Sequence, residues 1–406
     1  MAQGDVEIRS VRTDEEFRKA IDLQARLMAG AGYLDYLDKM QREAELWPAL
    51  KRENVRVALL NGRIVSTFRL FPLEIRIGCV TVPIGGINNV CSHPRYRKKG
   101  HMSALLEDGI QCMRRSGIPM SMLHGIPDFY YRFGYASVGC DYKLVVQTRT
   151  LAGFSKSLRV RKAKQADLPE MRLLYDVTYG ERTCSLVRDD RVWNRLAPEL
   201  RRVRVIVDGS NRVRGYFWLA NRRDYFRVTE VCVEHNEDVM RTLLAECGRL
   251  CRLAVSGEAR FDVPPDHHLA VYCRGCDAVM ETRYKHNRDW MMRIVDVEEL
   301  LSVLEPELSR RLQRSRLAGW HGSFGIETDI GSIFLKVADG TVRCEPTRPR
   351  RLSQTVRISQ SVLCQLLVGY RSGAELGGDY VPAKLREIVA ALFPLGNPFI
   401  SPEDMF

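Results

Sequence analysis

Apolar residues recur along this chain with two distinct periods. Val55-Arg56-Val57 and Val203-Arg204-Val205 alternate as half-buried strands do, and each is followed by a turn, Asn61-Gly62 or Asp208-Gly209, and a second strand over 63–70 or 212–219. Both pairs read as β-hairpins, with Asn-Gly and Asp-Gly supplying the positive φ angles that tight turns demand. A further strand and then a helix follow in each case, the helices over 102–113 and 239–250. In the first, Met102, Leu105, Leu106, Ile110 and Met113 share one face at spacings of three and four. This internal echo predicts two related α/β domains in tandem, over 1–155 and 156–292. From 293 to 406 the texture changes to a helical pattern over 297–312, strands over 332–337 and 341–344, and a helix over 360–368. That region reads as a separate α+β domain, with the Arg/Pro-rich stretch 347–352 as a connector inside it.

Composition narrows the class without choosing the chemistry. With 45% hydrophobic and 28% charged residues the 406-residue chain matches soluble globular proteins. No apolar run approaches the roughly 18 residues that span a bilayer, and the opening residues carry no stretch resembling a signal peptide. The expectation is a cytoplasmic protein with no membrane partner. Twelve cysteines at irregular spacing read as reduced thiols. Cys247 and Cys251, one helical turn apart, could join the C-x-x-C of Cys273 and Cys276 in a zinc site. The first pair, however, falls inside an apolar helical pattern where buried free cysteine is common, and no metal is expected. The net charge of +12 is shared between residues 1–155 and 156–290, while the remainder is balanced. Arginine pairs such as Arg201-Arg202 and Arg350-Arg351 are separated by acids and apolar strands, the pattern of solvated faces rather than of a phosphate-tracking groove. No nucleic-acid partner is expected.

Candidate chemistry concentrates between residues 86 and 135. A buried strand over 86–92 runs into His93-Pro94, a basic turn from Arg95 to Lys99, Gly100, and then the amphipathic helix. With its apolar side on a sheet, the helix leaves its N-terminus outward. Unpaired N–H groups there, the positive end of the dipole and the Arg97 side chain would converge on an anion, and Gly100 would let a pyrophosphate approach the backbone. Neither the G-x-x-x-x-G-K-[ST] pattern of nucleoside triphosphate loops nor the G-x-G-x-x-G of dinucleotide folds occurs here. Downstream come a strand over 119–123, a short loop, and Phe129-Tyr130-Tyr131-Arg132-Phe133-Gly134-Tyr135.

These two segments resemble the GNAT superfamily of N-acetyltransferases. Its acetyl-CoA loop follows [RQ]-x-x-G-x-[GA], and its later motif reads F-Y-x-x-[LF]-G-[FY]. Arg97 and Gly100 fit the first, with Met102 where the family has a small residue; Phe129, Tyr130, Phe133, Gly134 and Tyr135 fit the second. The whole chain is similar to the Eis (enhanced intracellular survival) type, which joins two GNAT-like domains with mixed sheets to a sterol-carrier-protein-like α+β domain. The segments LRVRKAKQADLPEMRLLYD and SQSVLCQLLVGYRSGAEL carry that likeness, together with the closing Phe406.

The resemblance implies an acetyl-CoA-dependent transferase acting on a primary amine, aminoglycoside-like or lysine-type, in a small molecule or a peptide. It assigns cosubstrate contacts to Val90, Cys91 and Ser92 on the strand and to Arg97, Lys98, Lys99, Gly100, His101, Met102 and Ser103 at the helix entrance. Tyr130 is the implied general acid and the Phe406 terminal carboxylate the implied base. Asp35, Glu403 and Asp404 are candidate acidic contacts to the acceptor, and the family's assembly implies a homohexamer. In the second domain Glu234-His235-Asn236-Glu237-Asp238 replaces the basic turn, so that copy is expected to be degenerate. Two other readings stand beside this one: an apolar-ligand-binding protein with a degenerate transferase domain, and a tRNA-dependent aminoacyl transferase.

Overall fold

The structure, a computed structural model, describes residues 6–28, 32–46, 52–220, 226–346 and 354–405. Eighteen strands form three sheets among these residues. They are β1 Val6–Ser10, β2 Val55–Leu60, β3 Arg63–Ile77, β4 Val80–Ser92, β5 Met120–Gly125, β6 Ala136–Ser137, β7 Cys140–Gln147, β8 Arg159–Lys162 and β9 Val203–Val207. There follow β10 Val213–Leu219, β11 Phe226–Val233, β12 Glu258–Phe261, β13 Ala278–Tyr284, β14 Asp289–Ile294, β15 Gly322–Thr328, β16 Gly331–Ala338, β17 Thr341–Glu345 and β18 Thr355–Arg357. The fold is α/β, as the periodicity implies, and its sheets are mixed, as the resemblance implies.

The internal echo is real at the level of topology. Sheet 1 runs β1-β2-β3-β4-β5-β14-β6 and sheet 2 runs β13-β7-β12-β11-β10-β9-β8. Each holds one parallel pair, β4 with β5 and β11 with β12, and each pair is bridged by a long helix, His101–Arg115 or Glu237–Leu253. Both helices bury one apolar face: Leu105, Leu106, Ile110 and Met113 in the first, Val239, Leu243, Leu244, Cys247 and Cys251 in the second. The first hairpin turns as expected, with Asn61 at φ 50° and Gly62 at φ 75°. The second does not turn at Asp-Gly. Its loop closes from Asp208 to Arg212, and the positive φ falls on Asn211 at 64°.

The sheets divide the chain differently from the sequence boundaries at 155 and 292. β7 leaves the first sheet and pairs with β12 and β13 of the second, while β14 returns from the second half to pair with β5 and β6 of the first. The two sheets have exchanged strands, and neither is complete without the other's stretch of chain.

The last region forms a four-stranded sheet, β17-β16-β15-β18, with helices around it. The pattern over 297–312 gives two helices, Val297–Val303 and Glu305–Gln313, because Pro306 cannot donate to the preceding turn. Helix Gln360–Leu367 ties this sheet to the first: Gln360 donates to the carbonyl of Gly134 and accepts from Ile294 N at 2.9 Å, and Gln365 donates to Ser137 O at 2.8 Å. One apolar core runs from Phe71 and Ile84 through Tyr175 and Trp193 to Leu363 and Leu392, with separate cores under each long helix.

His267 sits fully buried where sheet 2 meets the tail. Its Nε2 faces Val231 O at 3.1 Å and its Nδ1 accepts from Leu269 N, so the ring is neutral with the proton on Nε2. Burial holds its pKa down to about 3. A group depressed in the folded state contributes stability above the unfolded pKa near 6.5 and loses it as pH falls toward 3. Between pH 6.5 and pH 5 this histidine alone should cost about 1.5 kcal/mol. Thermal melts should show that loss in the native protein and a shallower slope in His267→Gln.

Candidate active site

A break in strand pairing creates the site. Thr67 faces Cys91 and Arg69 faces Asn88, so Asn89 and Val90 together stand opposite Phe68, a β-bulge with Asn89 at φ 54°. β4 and β5 pair in parallel only as far as Ile87 and Leu123, although β4 continues to Ser92. Past that point the strands part, and among the described residues the edge of β4 that faces the gap has no strand partner.

Packing from the first helices holds the bulge open. Tyr36 donates to Asn89 Oδ1 at 2.9 Å, and the buried Gln24 joins Thr67 at 3.2 Å to the Arg69 guanidinium at 2.8 Å. Beneath it, Ser66 and Ser92 share a hydrogen bond of 2.8 Å.

The gap opens into a cavity of about 770 Å³. Val90, Cys91 and Ser92 line one side, and Arg97, Lys98 and Met102 line the entrance. Lys99, Gly100, His101 and Ser103 belong to the same turn but do not line it. Lys99 extends outward over the Tyr96 ring at 5.3 Å. Gly100 is the N-cap at φ 84°, with open space where a Cβ would stand. The first helical bond is Ala104 N to Gly100 O, and among the described residues the N–H groups of 98–103 donate to no acceptor. Arg97 Nε donates to Ser92 O at 3.2 Å, which sets its guanidinium beside those amides. Free amides, two cations and an unobstructed glycine form a cradle that fits the pyrophosphate of coenzyme A.

Tyr130 forms the opposite wall. The 3-10 turn Tyr130–Phe133 ends on Gly134 at φ 76°, where a Cβ would also meet Gln360 Nε2 at 2.5 Å. Gly125 closes β5 without a side chain, and a Cβ there would come within 3.1 Å of the Tyr130 ring. Of the three tyrosines in the motif, Tyr131 is half exposed and Tyr135 is buried with its hydroxyl on Ser121 at 2.7 Å. Tyr130 is the one that lines the cavity. Burial pushes its phenol well above the ordinary value, so it stays protonated across the physiological range.

Several lining residues have no local signal in the sequence. Leu27 and Met28 come from the first helix, Trp290 from β14, and Met405 from the tail. The positive φ of Asn89 has a weak signal, since asparagine tolerates that region and an Asn-Asn step interrupts an apolar strand. Trp290 reaches the site only through the strand exchange.

The tail is docked as far as it is described, and polar groups hold it. Arg188 is fully buried, pairing with Asp404 at 2.7 Å through Nε and with both oxygens of Glu230 through its other nitrogens. Ser401 donates to Glu230 at 2.5 Å, Thr229 donates to Glu403 at 2.5 Å, and Arg202 pairs with Glu403 at 2.5 Å. Arg195 donates to the carbonyls of Glu403 at 3.1 Å and Met405 at 2.8 Å. Burial alone would push the Arg188 guanidinium down, but Asp404 and Glu230 overcome it and keep it charged. Burial pushes the Asp404 carboxyl up against that pull, and the Glu230 charge adds to the rise.

This corrects the expectation for the acidic contacts. Glu403 and Asp404 are engaged by the latch and do not line the cavity, and Asp35 is exposed and does not line it either. Phe406 lies outside the described residues, one position beyond Met405.

Where the second copy has its acidic turn, Asn236 caps helix Glu237–Leu253 by accepting from the N–H groups of Asp238 and Val239, and Glu234 pairs with Arg214 at 2.5 Å. Cys247, Cys251 and Cys273 are buried in the core of sheet 2, and all twelve cysteines are free thiols. A larger cleft of about 890 Å³ lies between the segment 176–183, helix Glu305–Gln313 and the loop 394–397. Its Arg182, Arg310 and Arg311 are engaged by Asp266, Glu181 and Glu307, while Arg314 lines it with no carboxylate partner among the described residues.

A mixed sheet with splayed parallel strands, a β-bulge and an amide cradle at a helix entrance defines an acyl-CoA transferase fold, and the sequence agrees. Residues 7–138 match the family model of the acetyltransferase (GNAT) domain, and the amino-terminal unit is such a domain. Solved structures extend the likeness over the whole chain. A probable N-acyltransferase of Enterococcus faecalis V583 superposes with a TM-score of 0.76 at 14% identity, covering 99% of this chain and 100% of that one. A GCN5-related N-acetyltransferase from Anabaena variabilis ATCC 29413 gives 0.76 at 17% identity over the same shares. Eis1 from Mycobacterium abscessus gives 0.69 at 18%, again over 99% and 100%. At these identities what is shared is the fold, all three units included. No curated protein matches the sequence.

The latch makes its own prediction. Arg188→Met should leave Glu230 and Asp404 buried without their cation, at a cost of about 3–5 kcal/mol. Limited digestion with carboxypeptidase should then trim the tail at temperatures where the native protein resists.

Proposed function

We propose that this protein is an Eis-type N-acetyltransferase that moves the acetyl group of acetyl-CoA to a primary amine, of aminoglycoside or lysine type. The observation that carries the reading is the single cavity that receives the bulge of β4, the amide cradle with Arg97 and Lys98, and the Tyr130 side chain. Acetyl-CoA supplies the activated acetyl group. The amides of residues 98–103, with Arg97 and Lys98, hold its pyrophosphate, and the unpaired edge of β4 beyond Ile87 holds the pantetheine arm.

In the transfer, the Val90 N–H at the bulge meets the charge that develops on the carbonyl oxygen. Tyr130 donates a proton to the departing sulfur. Its raised pKa makes it a weak acid in water, but a thiolate formed in the same dry cavity is a correspondingly stronger base. The Phe406 terminal carboxylate takes the proton from the amine, directly or through one water. Such a group has a reference pKa of roughly 3.3–3.7, and burial raises it toward a useful base. Support for that role comes from the tail, which is latched so that Met405 lines the cavity.

Following the same family, the third unit takes the place of a sterol-carrier-like domain and the protein assembles as a homohexamer. Among the described residues no helix is long and apolar enough to cross a membrane.

Two experiments test the reading. In titration calorimetry Arg97→Ala should weaken acetyl-CoA binding about tenfold, and Gly100→Glu should weaken it more, since it combines strain at φ 84° with a charge facing the pyrophosphate. Unchanged affinity in both would remove the cradle assignment. Appending a few residues after Phe406 should leave that affinity intact and collapse turnover, while Tyr130→Phe should lower kcat by about a hundredfold or more with little effect on acetyl-CoA binding. An extended protein as fast as the native one requires a different base.

A further inference from the structure

Sheet 2 ends on β13, and its outer side is open. Of the strands that stand at sheet edges among the described residues β13 is the longest, seven residues against five or fewer. It pairs with β7 from Ala278 opposite Val146 to Tyr284 opposite Cys140 without a register shift. On the other side no strand is paired with it, and among the described residues no backbone hydrogen bond leaves β13 except to β7. A proline, a bulge or a covering helix would close such an edge, and β13 has none of them.

Charge is the remaining safeguard, and here it is arranged to select a partner rather than to refuse one. Glu281 and Arg283 are exposed, share one face of the strand, and make no ion pair among the described residues. On β7 Glu281 stands opposite Lys143, and Arg283 stands opposite Asp141, which also takes Lys285 at 2.8 Å. Each row across the two strands therefore alternates in sign, and the next strand continues the alternation only if it offers a cation beside Glu281 and an anion beside Arg283. Thr282 lies midway between the two. A second copy of β13, run antiparallel with Thr282 opposite Thr282, supplies both charges in place. With the axis at residue 281 two glutamates meet instead, and at 283 two arginines meet. On the other face of the strand the same register lays Tyr284, 66% exposed, beside Met280 of the partner subunit, a sulfur-aromatic contact.

We infer that β13 is a contact between two copies of this chain, paired antiparallel about a two-fold axis at Thr282 so that their second sheets join into one. Such a contact is isologous: Glu281 meets Arg283 of the partner subunit, and Arg283 meets the partner's Glu281. The inference rests on the self-assembly reading above and gives it a named surface. The sheet that carries no phosphate cradle takes up assembly in its place.

The test reverses one charge at a time and follows particle mass by sedimentation at equal protein concentration. Glu281→Arg or Arg283→Glu alone puts like charges together twice in each contact, and should weaken the pairing about tenfold or more, leaving particles of half the native mass. Mixed in equal amounts, the two single variants are complementary to each other, and the native mass should return with both chains in each particle. Acetyl-CoA binding, read by calorimetry, should be unchanged in both and reports that they are folded. Thr282→Cys provides an independent measurement: residues directly opposite in an antiparallel pair stand about 4.5–5.5 Å apart at Cα, within reach of a disulfide, so mild oxidation should yield a covalent dimer that the native protein does not form. Native mass retained by the single variants, a mixture that fails to recover it, or no covalent dimer overturns the inference. An oligomer indifferent to the reversals sinks this contact alone, whereas a native protein that sediments as a monomer sinks the assembly reading with it.

Discussion

β14 pairs with β5 along its whole length, from Asp289 opposite Gly125 to Ile294 opposite Met120, because β7 has left that place for the other sheet. The functional geometry depends on this pairing. It fixes the end of β5 from the side away from β4, so β5 cannot follow β4 past Ile87 and the two strands part. It also brings Trp290 opposite His124, with the rings edge to face at 5.4 Å, into the gap so made. The bulge at Asn89 and Val90 then completes an opening whose walls come from both halves of the chain.

The second support is the latch around Arg188. An arginine shared by two carboxylates with no solvent would be a poor source of stability compared with apolar packing. Its merit here is direction. Fixed bond angles at the guanidinium, together with the Ser401 and Thr229 hydroxyls, specify one position for the tail, where apolar contacts at Phe399 and Ile400 alone would tolerate several. The two supports meet at the cavity, since Trp290 and Met405 both line it.

What could be read from the residues was what is local. The order of strand, basic turn, glycine and amphipathic helix needs only a few consecutive residues, and it appears as expected from Val80 to Arg115. The aromatic motif likewise sets its own turn, with Gly134 as its left-handed close. The exchange of β7 and β14 is invisible because nothing local in either strand specifies which strand it pairs with. Glu403 and Asp404 misled for a related reason: acidic residues beside a site look available until a buried Arg188, more than two hundred positions away, is seen to claim one of them. In the second hairpin Asp208-Gly209 promised a tight turn, but Asp208 instead accepts from the N–H groups of Ser210 and Arg212 and passes the left-handed residue on to Asn211.

The exchanged strand has a further consequence for biosynthesis. Residues 120–125 leave the ribosome long before residues 289–294, and at ordinary translation rates the interval is on the order of ten to thirty seconds. Through that time the rim of the nascent first sheet presents an unsatisfied row of peptide groups flanked by Met122 and Leu123, the kind of surface on which neighbouring polypeptides nucleate. The emerging polymer must therefore be shielded, or its early half must remain only loosely ordered, until the distant segment arrives to cover it.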